Sequence, residues 1–310
     1  MKQIQLIALL LAAAGLTACS SDEGTGTVDA PLKMIVDVTE NPFTDTSSSA
    51  KMRGTTRATY TTTESLRAFS MNSPETMNSP EFKYDFEKSE IGGTWTGPNQ
   101  WPNITDKFDF YAYTGDMGNT ADPDDPEHIF RYNDGNPYIA FTVAQSASNQ
   151  HDLLVAKHEK ISYNDAEGHV SLSFDHALAA VQFKVQITNT WKQKNGNALT
   201  VNSIVLRNVN DSGNYYYGTK SWDNVSGSAY YTLTSSTSLT VTTDYQELPC
   251  GYLFLIPQSR KANGTQGTYI EVNYTFSGQT QTKANIYFDV DWKAGSLYTI
   301  EIRLGTTHIK

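Results

Sequence analysis

Apolar and polar side chains alternate strictly along several stretches of the chain. Val181, Phe183, Val185 and Ile187 alternate with Gln182, Lys184 and Gln186. Ile270, Val272, Tyr274 and Phe276 alternate with Glu271, Asn273 and Thr275. Ile286, Phe288, Val290 and Trp292 alternate with Asn285, Asp289 and Asp291, and Tyr298, Ile300, Ile302 and Leu304 with Thr299, Glu301 and Arg303. Near the start, Leu32, Met34, Val36 and Val38 alternate with Lys33, Asp37 and Thr39, although Ile35 spoils the polar face. A period of two buries one set and leaves the other in water, as in antiparallel β-sandwiches. No long stretch keeps a 3.6-residue period, so the pattern predicts an all-β chain with few, short helices.

Turn signals separate these runs. Asn195-Gly196, Asp211-Ser212-Gly213, Asn263-Gly264 and Ser277-Gly278 sit at hairpin-like spacing. The apolar phase shifts between Leu172/Phe174 and Val181/Phe183, across Asp175 to Leu178. A strand cannot exchange its faces without a bulge or short helical turn, so a kink is predicted there. Residues 39–63, rich in Thr, Ser, Asn and Asp, and residues 115–137, acidic and rich in Pro and Gly, read as long loops. The length suggests two domains, with a boundary near Tyr163 to Gly168.

The amino terminus sets the compartment. Lys2, the apolar stretch Ile4 to Leu11 and the small residues that follow have the layout of a secretory signal peptide. Leu16-Thr17-Ala18-Cys19 resembles a bacterial lipobox, in which the signal peptidase cuts between Ala18 and Cys19 and the Cys19 thiol carries the lipid. Lipid there would anchor the chain to the outer membrane without a membrane-spanning helix. The predicted layout is a signal peptide over 1–18, a flexible acidic tether over 19–29 and two β-sandwich domains over 30–165 and 166–310. Ser20-Ser21-Asp22-Glu23, in the tether, resembles a surface-export signal, which is the favoured reading, and also suits a solvated linker. The chain's two cysteines are Cys19 and Cys250, so a lipidated Cys19 leaves Cys250 no partner and the core must hold the fold without disulfides. The formal net charge of −10, with no basic run longer than Arg260-Lys261, argues against nucleic acid as a partner.

Catalytic signatures are missing from the sequence, and the chain reads as a non-enzyme that needs no cofactor. His151, His158, His169 and His176 fall in one stretch, but their spacing fits no common zinc pattern, so no metal is predicted. The acidic loop Asp116 to Glu127 lacks calcium-loop spacing and reads as solvated. Trp95, Trp101, Tyr111 and Tyr113 read as sandwich core, with a sugar-stacking face as the alternative. Cys250, before an apolar strand, reads as an inert buried thiol.

Four short motifs, in order, resemble the fimbrillin family, the two-domain pilins of Bacteroidales-type (type V) pili. They are Asp152-Leu153-Leu154-Val155-Ala156, the strand Phe174-Asp175-His176-Ala177-Leu178-Ala179-Ala180-Val181, the apolar Leu253-Phe254-Leu255-Ile256-Pro257-Gln258, and Trp292-Lys293-Ala294-Gly295-Ser296-Leu297-Tyr298-Thr299-Ile300, which resembles the family's closing W-x-x-G-x-x-Y-x-I hairpin. The resemblance implies two tandem, transthyretin-like sandwiches. It also implies a lipoprotein precursor that is cut in the loop after its first strand, often at Arg. Here the removable strand would be Leu32, Met34, Val36 and Val38, with Arg57 as first choice of cut site and Arg53 as second. The groove left behind would accept a strand from another fimbrial subunit by β-strand addition. The implied place is the cell surface, first as an outer-membrane lipoprotein and then in a fimbrium that meets a host or bacterial surface ligand. The last strand, Tyr298 to Leu304, reads as core and no separate donor extension follows it, which favours a tip or accessory subunit over a stalk, and a stalk over an anchor. The rival reading is a surface glycan-binding lipoprotein of a polysaccharide-uptake system.

Overall fold

The computed structural model of the chain describes residues 33–45, 64–72, 82–88, 93–101, 104–114, 130–133, 136–196, 199–248, 251–262 and 267–305. The alternating runs form strands. In chain order these are β1 (Lys33–Glu40), β2 (Thr44–Asp45), β3 (Glu64–Asn72), β4 (Phe82–Lys88), β5 (Gly93–Gln100), β6 (Phe108–Thr114), β7 (Phe130–Asn133), β8 (Asn136–Thr142), β9 (Leu154–Ile161), β10 (His169–His176) and β11 (Ala179–Ile187). They continue with β12 (Thr200–Val209), β13 (Ser212–Tyr216), β14 (Ser221–Ser226), β15 (Ala229–Thr240), β16 (Gln246–Glu247), β17 (Leu253–Leu255), β18 (Gln258–Arg260), β19 (Tyr269–Phe276), β20 (Gln279–Tyr287), β21 (Val290–Trp292) and β22 (Ser296–Leu304). Among the described residues the helices are short: α1 (Tyr163–Ala166), α2 (Asn189–Asn195) and a 3₁₀ turn at Ala147–Asn149. The all-β reading therefore holds.

A seven-stranded sheet runs β4-β3-β6-β9-β10-β1-β5. A second sheet runs β16-β11-β22-β2, with β17 also on β11, and two four-stranded sheets run β15-β12-β19-β20 and β14-β13-β8-β7. The seven-stranded sheet carries a core on each face. Phe108, Phe110 and Ala112 of β6 join Leu154, Ala156, Val170, Leu172 and Phe174 in the smaller core. Tyr111 and Tyr113, pointing the opposite way, join the larger core with Leu153, Val155, Val181, Phe183 and Val185. Burial on both faces explains why Phe110 to Tyr113 of β6 and Leu154 to Ala156 of β9 are continuous apolar runs rather than alternations. The Tyr217 hydroxyl ties the larger core to this sheet by donating to the Ala112 carbonyl at 2.9 Å.

The phase shift at Asp175 to Leu178 is a change of sheet. β10 ends at His176 beside β9 and β1, and after Ala177-Leu178 the chain resumes as β11 beside β22 and β17. The boundary predicted near 163–168 falls on α1, between β9 and β10, which pair with each other. Pairing also crosses it where β8 meets β13 and β2 meets β22.

Several local expectations change. Asn195-Gly196 ends α2 rather than turning a hairpin, because Gly196 (φ 72) lets its N–H close on the Lys192 carbonyl at 2.8 Å. Ser277-Gly278 does turn a hairpin: both take positive φ, 48 and 74, and Phe276 pairs with Gln279. Asn263-Gly264 lies outside the described residues. The segment 115–137, read as loop, contains the β7–β8 hairpin from Phe130 onward, and residues 39–63 contain the end of β1 and β2. The run Ile286 to Trp292 is divided between β20 and β21, which lie in different sheets.

Candidate functional site

Residues 33–45 form a strap that joins both large sheets. β1 lies inside the seven-stranded sheet, antiparallel to β5 and parallel to β10, with Ile35 opposite His169 and Glu40 opposite Phe174. Its alternation seats it: Met34 and Val36 are buried in the smaller core, 3% and 2% exposed. Burial of each is worth roughly 1.5–3 kcal/mol. Ile35 and Asp37 lie on the other, half-buried face, where Asp37 contacts His169 Nδ1 at 2.8 Å. After Glu40 the strap crosses to the second sheet. The Asn41 N–H donates to the Phe174 carbonyl at 2.9 Å and the Thr44 N–H to the Gly295 carbonyl at 2.8 Å. β2 then lies parallel to β22, Thr44 opposite Ser296 and Asp45 opposite Leu297. Parallel pairs need long crossovers. Among the described pairs three are parallel, β1–β10, β2–β22 and β11–β22, and the strap takes part in two of them.

The crossing rests on side chains as well as backbone. The Asn41 amide donates to Asp175 Oδ1 at 2.7 Å and to Ser173 Oγ at 3.2 Å. Lys220 Nζ donates to Asp175 Oδ2 at 2.7 Å. Partial burial works to raise the Asp175 carboxyl, but the hydrogen bonds from Lys220 and Asn41 outweigh it and hold the group below the usual carboxylate range. Phe43 stacks on the His176 ring, centroids 3.6 Å apart and planes 20° from parallel, and lies 6.3 Å from Phe254. Beside the crossing is a cavity of about 290 Å³ bordered by Asn41, Pro42, Asp175, Tyr215, Lys220 and Gly295.

All four sequence motifs converge here. Asp152 meets His176 Nδ1 at 2.5 Å, both side chains almost fully buried. Phe254 donates its N–H to the Gln150 side chain at 2.9 Å, and Gln258 closes the corner by bonding both the N–H and the carbonyl of Asn210. Gly295 (φ 65) donates to the Leu178 carbonyl at 2.9 Å while accepting from the strap. The Trp292-to-Tyr298 motif is a corner rather than the hairpin its family likeness implies: β21 pairs with β18 and β22 with β11. The Tyr298 hydroxyl fixes that corner, donating to the Asp291 carbonyl at 3.0 Å and accepting from the Lys293 N–H at 2.9 Å.

Of the residues predicted from sequence, Met34 and Val36 are buried in the smaller core, and Val38 is paired in β1 opposite Leu172. Ala18, Cys19, Leu32, Arg53, Arg57, Cys250 and the Asp116 to Glu127 loop lie outside the described residues, as does the Trp95 side chain. Trp101, Tyr111 and Tyr113 are core, 2%, 4% and 1% exposed, which removes them from any sugar-stacking face. His169 and His176 go to separate aspartates, and no group of metal-ligating residues occurs among the described residues. Asn41, Phe43 and Lys220 were not legible as site residues. The one signal was Phe43, an isolated aromatic in a polar segment.

Three solved structures share the architecture. A fimbrial protein from Bacteroides vulgatus is 18% identical with a TM-score of 0.52, covering 80% of this chain and 90% of its own. A candidate cell adhesion protein from Bacteroides ovatus is 14% identical with a TM-score of 0.53, covering 91% and 94%. Another, from Bacteroides uniformis, is 15% identical with a TM-score of 0.50, covering 92% and 96%. At these identities the likeness is one of fold. No curated protein matches the chain at a significant level. The family model described as fimbrillin-like matches residues 46–310, beginning directly after the strap and taking in all four motifs, and the chain belongs to the fimbrillin-like family.

Proposed function

We propose that this chain is a non-enzymatic structural subunit of a cell-surface fimbria, a tip or accessory subunit or a stalk subunit, that supports adhesion. It is exported as a lipoprotein held to the outer membrane through Cys19. A protease then cuts after Arg57 or Arg53, the strap leaves, and a strand of another subunit takes its place. The observation that carries this reading is the position of the strap. β1 fills an interior place in the seven-stranded sheet, so its departure exposes paired edges on β5 and β10 and the apolar seats of Met34 and Val36. The chain reaches the strap from the body through residues 46–63, which hold both arginines.

The test is the N-terminal residue and mass of the protein recovered from the cell surface. A start at Ala58 or Gly54 is the expected result. A start at lipidated Cys19, with no shorter form when protease is present, would refute maturation by cleavage. The glycan-binding reading gains nothing from Trp101, Tyr111 and Tyr113, which are buried.

A further inference from the structure

Apolar alternation alone cannot fix where a strand sits in this groove. A strand slipped by two residues returns the same set of side chains to the same face, so the Met34 and Val36 seats accept more than one register. The crossing between the sheets has no such repeat. There the strap is read by a carboxylate with both oxygens engaged, Oδ1 by Asn41 and Oδ2 by Lys220, and two residues later by the His176 ring under Phe43. The Lys220 bond comes from the body and not from the strap, so it engages Asp175 Oδ2 independently and leaves Oδ1 to the strap. His176 is likewise held from below by Asp152.

We propose that this crossing is a recognition subsite for the partner strand. Resting on the strand-exchange reading above, Ser173, Asp175, His176 and Phe254 select, on a β-strand of a neighbouring subunit, a hydrogen-bond-donating side chain followed two residues later by an aromatic ring. The donor takes the place of Asn41 on Asp175 and the ring takes the place of Phe43 on His176. The subsite sets the register that the apolar seats leave open. The cavity of about 290 Å³ beside Pro42 admits a bulkier residue between the two, so the partner needs no proline there.

The experiment uses the full chain, nicked within residues 46–63 by an arginine-specific protease so that the strap is retained without covalent attachment. Labelled peptides with the sequence of residues 32–45 compete to replace it, and their incorporation is measured by gel filtration. Loss of a hydrogen bond to a charged group weakens binding by on the order of tenfold or more, so the Asn41→Ala peptide is expected to exchange about tenfold less well than the unaltered one. The Phe43→Ala peptide is expected to lose a comparable factor. In a body carrying Asp175→Asn, the gap between the Asn41→Ala and unaltered peptides should close while the Phe43→Ala gap remains. Equal exchange by all three peptides would overturn the subsite and leave strand exchange standing. Failure of every peptide, the unaltered one included, would overturn strand exchange and the subsite together.

Discussion

Met34→Ala is the substitution that tests most directly whether the strap is a separable, core-bearing strand. Met34 is 3% exposed and packs in the smaller core with Val36, Phe110 and Leu172. Truncation removes the transfer energy of three buried heavy atoms and leaves a cavity that a sheet interior fills poorly, together about 3 kcal/mol. Ile35 is the internal control, because it precedes Met34's next inward neighbour but lies on the half-buried face. Ile35→Ala should cost about 1 kcal/mol. In the uncut chain both costs appear as a loss of unfolding free energy in denaturant titration at unchanged slope. After cleavage within residues 46–63 the same 3 kcal/mol becomes a loss of strap affinity, about 100-fold. Gel filtration of the nicked protein should then separate strap from body for Met34→Ala well before it does so for Ile35→Ala. Equal costs for the two would refute the facing of β1. A full cost in the uncut chain with no change in strap retention would refute separability.

Strap retention in the nicked chain should fall on acidification. Lys220 holds Asp175 with or without the strap, so the part that couples to strap retention is the Asn41 bond, present while the carboxyl is ionised and lost as pH falls through its lowered value. Asp175→Asn should remove this part of the pH dependence, read as strap co-elution across pH 5 to about 2. Asp152→Ala removes the Asp152 bond to buried His176 and should lower unfolding free energy by about 1–3 kcal/mol, measured by denaturant titration. Gly295 has φ 65, and a Cβ there would meet only the His176 carbonyl at an ordinary 3.6 Å, so the cost of substitution is backbone conformation. Gly295→Val should lose about 1–3 kcal/mol and Gly295→Asn less, because asparagine tolerates the left-handed region; thermal unfolding of the two variants gives the order.

The inward faces were legible because they depend on a local period. Val181 to Ile187 shows its buried set in the sequence and keeps it in β11, and the sheet change at Ala177-Leu178 was marked by the break in phase. What pairs with what was not legible. Nothing in Lys33 to Glu40 says that the strand lies between β5 and β10 rather than at an edge, since partners distant in sequence leave no local trace. Residues Asn41 to Asp45 carry no alternation; they are held by main-chain bonds to Phe174 and Gly295, by the Asn41 amide on Asp175 and Ser173 and by one stacked ring, and polarity alone made them read as loop. The Trp292 corner resembled a hairpin because its turn chemistry is that of one. The partners of its two arms, β18 and β11, are set by the larger core. Tyr111 and Tyr113 could be placed in a core, but not in a core different from that of Phe108 and Phe110, because sequence does not disclose that one sheet is covered on both sides.

The strap's parallel alignment with β10 and then with β22 has a mechanical consequence. Tension applied along the strap acts along both ladders, across the direction of their hydrogen bonds. The bonds are then loaded in shear and share the force, whereas a strand pulled sideways from an edge would be peeled off one bond at a time. A chain lying in this groove therefore resists axial traction far better than transverse traction.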